Sequence, residues 1–203
     1  MEIRMWEERY NTEDYVFGRE PAAFLRRHES WLKRGEFALS VADGEGRNSV
    51  FLAEKGLKVI AWDGAPTAVE KARALAHERG VAVAYEVADI EHWAWPEARF
   101  DLVLGVFIQF VGPEARARLF ERMKRAVKPG GVLMLHGYTP KQLDYGTGGP
   151  KAVENLYTPE LLREAFGDLE IRELEAYEAE LDEGGGHVGR SALIDLVAVK
   201  PLS

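Results

Sequence analysis

The chain has 203 residues, 46% of them hydrophobic and 30% charged, which is enough to bury one globular core without cross-links. It contains no Cys, so disulfides, thiolate metal sites and thiol nucleophiles are excluded. With 26 basic against 34 acidic residues the formal net charge is −8, a balance that repels phosphate backbones and argues against a nucleic-acid partner.

In chain order, the first feature is an aromatic stretch containing Trp6, Tyr10, Tyr15 and Phe17. It has no apolar leader pattern, and no apolar run approaches the roughly 20 residues of a spanning helix, so a cytoplasmic protein with no membrane partner is expected. Residues 1–34 read as a lid or helical extension, with Tyr10 nearest any ligand, and 35–203 as the core of a single domain. The first strand covers 37–42, and a Gly-rich turn then leads into a helix that lasts to about Gly56. The second strand, 57–62, ends at Asp63; the helix after it has Pro66 in its first turn, buries Val69, Ala72, Leu75 and Ala76, and stops at Gly80. A third strand, 81–87, leads to Asp89, and a fourth, 100–107, is nearly unbroken in apolar residues and so expected to be buried on both faces.

The helix from about 113 to 127 carries Arg116, Arg118, Arg122, Lys124 and Arg125, interleaved with Glu114 and Glu121, and reads as a solvated face. The fifth strand is 132–136. The irregular stretch 137–155 is long for a compact domain and is therefore expected to be functional. Thr158-Pro159 opens a further helix, cap followed by Pro at the first position. The last two strands, 169–181 and 191–200, are joined by 182–189, which has no room for a helix, so they form an antiparallel hairpin. The predicted fold is α/β: a doubly wound, mostly parallel seven-stranded sheet with an antiparallel C-terminal strand.

In such sheets ligands bind beyond the carboxyl ends of the strands. That places the turns at Asp43-Gly44-Glu45-Gly46, at Asp63 and at Asp89 around one hollow, with the 182–189 tip on the same side. Gly44 and Gly46 permit close backbone approach, and the helix start at 46–48 offers N–H groups to an anion. Asp63 suits two ribose hydroxyls, and Asp89 suits an exocyclic amine; the competing role for Asp89 is a helix N-cap. His28, His77 and His92 form no metal spacing, so no metal is expected. His136, inside an apolar run, reads as a hydrogen-bonded core residue.

The segments "SVADGEGRN", "VIAWDGAP", "VADI", "FDLVLGVFIQF" and "VKPGGVLML" together resemble class I S-adenosylmethionine-dependent methyltransferases over nearly the whole chain. The opening "WEERYNTEDYVFG", with "GEGRN", "GYTPKQLDYGTGGP" and "GGGHVGRSA", is similar to the tellurite-resistance-type branch. The resemblance implies S-adenosylmethionine as cofactor, held by Tyr10, Ala42, Asp43, Gly44, Gly46, Asn48, Asp63, Gly64, Asp89 and Ile90. It implies that Val106 and Phe107 line the pocket near the methyl group. It departs from the family at Ser40, where many members have an acid that Asp43 or Glu45 would replace, at Ala42, where many have glycine, and at Gln109, where the branch often has His. The acceptor is expected to be a small molecule, such as a thiol or a selenium or tellurium oxyanion, served by a monomer or homodimer. His187 is the candidate base or positioner, Arg190 the holder of an anionic acceptor, and Tyr138 and Tyr145 an aromatic wall. The alternatives are a non-catalytic S-adenosylmethionine sensor or scaffold and, further off, a nucleotide-dependent oxidoreductase, which would want a third glycine near Asn48.

Overall fold

A computed structural model describes residues 3–202. The seven strands are β1 (Phe37–Val41), β2 (Lys58–Asp63), β3 (Val83–Val87), β4 (Phe100–Val106), β5 (Val127–Tyr138), β6 (Glu170–Asp182) and β7 (Val188–Val199). The helices are α1 (Ile3–Tyr10), α2 (Ala23–Arg27), α3 (Arg47–Glu54), α4 (Pro66–Glu78), α5 (Pro113–Ala126) and α6 (Pro159–Ala165). The sheet order is β3-β2-β1-β4-β5-β7-β6, with β7 antiparallel to both β5 and β6. The expected fold class is therefore the observed one, the short connector having forced the reversal of the last strand.

The chain divides into two compact units: Met1–Ala94 with Glu183–Gly186, and Trp95–Asp182 with His187–Ser203. In the first, β1, β2 and β3 are parallel and end level, since Val41 pairs with Trp62 and Asp63 with Val87. The turns that follow all three strands therefore lie at one end of the unit. Gly46 starts α3 at φ +90°, and a Cβ there would come within 2.7 Å of Ala72 Cβ, so glycine is what lets α3 and α4 pack this closely. The tip Glu183–Gly186 belongs to this unit. Gly186 N donates to Val16 O (3.0 Å), and a Cβ at Gly184 would overlap Phe17 and Gly18 backbone atoms.

In the second unit, Phe100, Leu102, Val103 and Leu104 are fully buried, as their unbroken apolar run predicts. β6 is the edge strand, with Glu170, Glu173, Glu175, Glu178 and Glu180 along it, a charge pattern that blocks strand addition. The irregular stretch 137–155 holds two short helical turns, Pro140–Asp144 and Val153–Asn155. Gln142 knits it to β7 by accepting from Ala192 N at 2.8 Å. Thr158 caps α6 as expected, its Oγ1 accepting from Leu161 N at 3.1 Å. On α5 the basic face departs from expectation at Lys124, which turns inward and donates to Ala165 O at 2.9 Å and pairs with Asp168 at 3.0 Å. Among the described residues no helix is long and apolar enough to cross a membrane.

Candidate functional site

The turn after β1 is organised by one carboxylate. Ala42 takes φ +47°, uncommon for a residue with a side chain, and this swings Asp43 back beneath the turn. Asp43 Oδ1 accepts from Ser40 Oγ (2.6 Å) and Ser49 N (3.2 Å), while Oδ2 accepts from Ser49 Oγ. The anion site expected at the start of α3 is thus occupied in part by the chain's own Asp43, which serves as its cap. Burial pushes the Asp43 carboxyl up to about 6, against the serine hydrogen bonds that favour its ionised form.

Gly44 follows at φ +59°, and its N–H donates to Asp63 Oδ2 at 2.9 Å. The other oxygen of Asp63 accepts from Ala65 N at 2.9 Å, and the Gly64 N–H also favours the carboxylate. Burial nonetheless raises Asp63 above the ordinary carboxylate range. Over Gly44 lies Tyr10, only 5% exposed, whose hydroxyl is 2.9 Å from where a Gly44 Cβ would stand. Burial and then the charge of Asp63, followed by that of Glu45, drive the Tyr10 phenol well above its usual range. Tyr10 stacks on Trp6 (5.7 Å) and meets Phe17 edge-on (6.1 Å), so the aromatic N-terminal stretch covers the glycine turn. Phe17 N donates to Glu45 Oε2 at 3.3 Å, and Lys71 neutralises Glu45 at 2.8 Å.

Two predicted residues, Asn48 and Asp89, are engaged by backbone N–H groups, and Arg47, which was not predicted, has a partner that the sequence did not reveal. Asn48 Oδ1 accepts from Ala22 N at 3.0 Å, tying the N-terminal extension to α3. Asp89 Oδ1 accepts from Glu91 N (2.9 Å) and His92 N (3.0 Å), so it does cap the turn beyond β3, and Ile90 beside it is buried. Arg47, at the start of α3, is buried in an ion pair with Glu183 at 2.9 Å. Glu183 also accepts from Ala23 N at 2.8 Å. Sequence reasoning missed this pair, the two residues being far apart in the chain; the one available signal was an acid directly before the three glycines of the tip.

In the second unit the ends of β4 and β5 and the start of β7 bring Phe107, Tyr138 and His187 together. Phe107, at φ +55°, stacks on His187 with centroids 4.2 Å apart and lies 4.7 Å from the Tyr138 ring. Tyr138 Oη and His187 Nδ1 are 2.5 Å apart, and both residues are buried. A hairpin-tip histidine is ordinarily exposed; here the stacked rings bury it. Gln109 braces this layer by accepting from Tyr138 N (2.6 Å) and donating to Tyr138 O (2.8 Å). Val106, which ends β4, is half-buried. His136 is the hydrogen-bonded core residue its context suggested, with Nδ1 2.6 Å from Asp195 Oδ1. Arg190 is exposed and committed to Glu178 (2.6 Å), its guanidinium over the Tyr145 ring at 5.5 Å. Tyr145 also donates to Glu178 at 2.7 Å.

Residues 38–131 match the family model described as a methyltransferase domain. Over those residues the chain carries that domain's sequence signature. A 2-heptyl-1-hydroxyquinolin-4(1H)-one methyltransferase of Mycobacteroides abscessus is 33% identical over 94 residues, 45% of this chain and 41% of that protein. The chain spans about 40% of the length of the curated relatives it matches. Among solved structures, one described for conversion of a disulfide bond into a thioacetal group during echinomycin biosynthesis superimposes with TM-score 0.81 at 18% identity, covering 100% of this chain and 93% of that one. TehB from Haemophilus influenzae superimposes with TM-score 0.69 at 18% identity, covering 96% of this chain and 65% of that one. These structures share the fold.

Proposed function

We propose that this chain is an S-adenosylmethionine-dependent methyltransferase acting on a small-molecule acceptor. The observation that carries the reading is the Gly44 N–H to Asp63 hydrogen bond, inside a domain whose sequence matches a methyltransferase model over 38–131. The donor set fits the cofactor. A glycine cradle that a Cβ would fill, two buried carboxylates and a covering tyrosine suit a ligand with a cationic amino-acid end and a ribose. S-adenosylmethionine, when bound, supplies a methyl group already activated on a sulfonium.

The chain's own residues then do the binding and positioning. Asp63 holds the ribose hydroxyls beside Gly64. Asp43 sets a carboxylate for the α-ammonium in the place that Ser40 cannot serve. The backbone at Ala42, Gly44, Gly46 and Asn48 receives the amino-acid end. Asp89 and Ile90 frame adenine, and Tyr10 excludes water above the turn, because displacement from a sulfonium gains most from alignment in a dry site. On the acceptor side we assign Val106 and Phe107 as apolar lining and His187 as the group that orients the acceptor or takes its proton. Where Tyr138 Oη accepts from Nδ1–H, the basic nitrogen of His187 is Nε2. Arg190 reaches an anionic acceptor only after releasing Glu178, so it acts in binding.

The soft-nucleophile acceptor and the tellurite-resistance-type branch belong to the same proposal. They are supported by the TehB-like fold and by a fold neighbour named for sulfur chemistry. A thiolate or telluride-type acceptor arrives ionised and asks little of a base. Calorimetry with S-adenosylmethionine and S-adenosylhomocysteine tests the reading: micromolar binding is expected, and no heat from either would refute it. Binding of both without S-adenosylhomocysteine release on any thiol, phenol or oxyanion acceptor would instead favour the sensor.

A further inference from the structure

Asp89 carries more hydrogen bonds than a turn cap requires. Its Oδ1 is fixed by the N–H groups of Glu91 and His92, which orients the carboxylate. The side chain of His92 then folds back on the same group, with Nδ1 2.9 Å from Oδ1 and 2.8 Å from Oδ2. The turn beneath is anchored, since Trp93 Nε1 donates to Glu86 Oε2 at 2.9 Å and its ring packs 5.9 Å from Trp62. The His92 side chain is 84% exposed and is paired with Asp89. A ligand amine directed at Oδ2 meets an imidazole already there.

We propose that His92 tunes the adenine subsite: its imidazole competes with the adenine amine for the Asp89 carboxylate, so that the nucleobase must displace it to be read. The proposal rests on the assignment of Asp89 to adenine made above. The charged groups on the turn and on the strand leading to it are Asp89, Glu91 and Glu86, while Arg73 of α4 donates to Tyr85 O of β3 at 3.1 Å. The device narrows the preference for an amine-bearing base over a carbonyl-bearing one, because only a donor group contends with His92 for the carboxylate.

The test is calorimetry of S-adenosylhomocysteine and S-inosylhomocysteine, which carries a carbonyl in place of the amine, on the wild type, His92→Ala and Asp89→Ala. His92→Ala is expected to bind the adenosyl ligand about two- to fivefold more tightly than the wild type, the size of a single exposed ion pair. Its binding of the inosyl ligand is expected to stay as in the wild type. Equal gains for both ligands, or no change in either, would overturn the role of His92 while leaving Asp89 in place. If wild type and Asp89→Ala fail alike to distinguish the two ligands, Asp89 is not the adenine reader, and the role of His92 falls with it.

Discussion

The Asp43→Asn substitution separates the stability of the glycine turn from its function. Asp43 is buried, and its carboxyl rises from 3.8 to about 6, burial being the main cause. A group whose folded-state value is raised binds protons more readily in the native state than in the unfolded one. The contribution of Asp43 to native stability therefore declines as pH climbs from about 4 through 6 and stays low above that. At about 1.4 kcal/mol for each pH unit by which the carboxyl is raised, holding this charge costs about 3 kcal/mol at neutral pH. Asn keeps the shape and, with its amide turned so that Oδ1 accepts from Ser40 Oγ and Ser49 N, gives its N–H to Ser49 Oγ. Urea unfolding at a series of pH values is expected to show the variant matching the wild type near pH 4 and exceeding it by about 3 kcal/mol at pH 7.5, a midpoint shift of about 1–2 M. Asp63 titrates in both proteins, and its charge is the smallest of the causes given for the Asp43 shift. Affinity for S-adenosylmethionine should move the other way, weakening at least about tenfold as the partner of the ammonium is lost. Parallel stability curves would refute the claim that the turn holds a costly buried charge. A stabilised variant with unchanged donor affinity would show that the charge is not there for the donor.

Two further substitutions address the clasp between the hairpin tip and the N-terminal extension. Gly184→Ala adds a Cβ at φ +71° where Gly18 and Phe17 backbone atoms already stand, and is expected to destabilise by about 2–4 kcal/mol and to expose the 11–22 segment to limited proteolysis. Equal proteolysis of variant and wild type would contradict the clasp. Glu183→Gln leaves the buried Arg47 charge without its counterion, with an expected loss of about 3–5 kcal/mol that Arg47→Met in the same chain recovers in large part; a double mutant as unstable as the single would locate the loss elsewhere. On the acceptor side, His187→Ala is expected to lower turnover of a protonated acceptor such as a phenol by about 100-fold or more while leaving calorimetric donor affinity within about twofold. Unchanged turnover on every acceptor would remove His187 from the reaction.

Much of the architecture was legible because helical and strand periods alternate cleanly, and because 182–189 is too short to cross a sheet. Asp63 and Gly44 were legible for a similar reason: their spacing follows from one βαβ unit. The serine–aspartate network was not. Its geometry depends on a positive φ at Ala42, a residue type that gives no warning of it. The same holds for the burial of His187, which follows from Phe107 adopting φ +55° beneath it. Asn48 was read as a ligand residue from its place in the turn, yet its carbonyl faces a backbone N–H that no local pattern brings near. Arg190 looked available because sequence does not show that Glu178, on the adjacent strand, claims it.

Backbone strain singles out the same positions by an independent route, provided each strained residue is considered with the side chain it redirects. Among the described residues three that are not glycine take positive φ: Ala42, Ala98 and Phe107. Ala98 sits in the turn before β4, where Ala98 N and Arg99 N donate to the backbone carbonyls of Arg125 and Ala126, an arrangement that serves chain reversal alone. Ala42 and Phe107 instead occupy the equivalent place in two different βα units, the first residue beyond β1 and beyond β4. There the strained conformation ends the strand abruptly and redirects a side chain, Asp43 in one unit and the Phe107 ring itself in the other. Each left-handed residue costs on the order of 1 kcal/mol and persists only where surrounding contacts over-determine it. The contacts that do so are the serine–aspartate network and the Phe107–Tyr138–His187 layer. Neither is needed to close a βα turn, which glycine would do without strain, so the conformation is best accounted for by the groups it places.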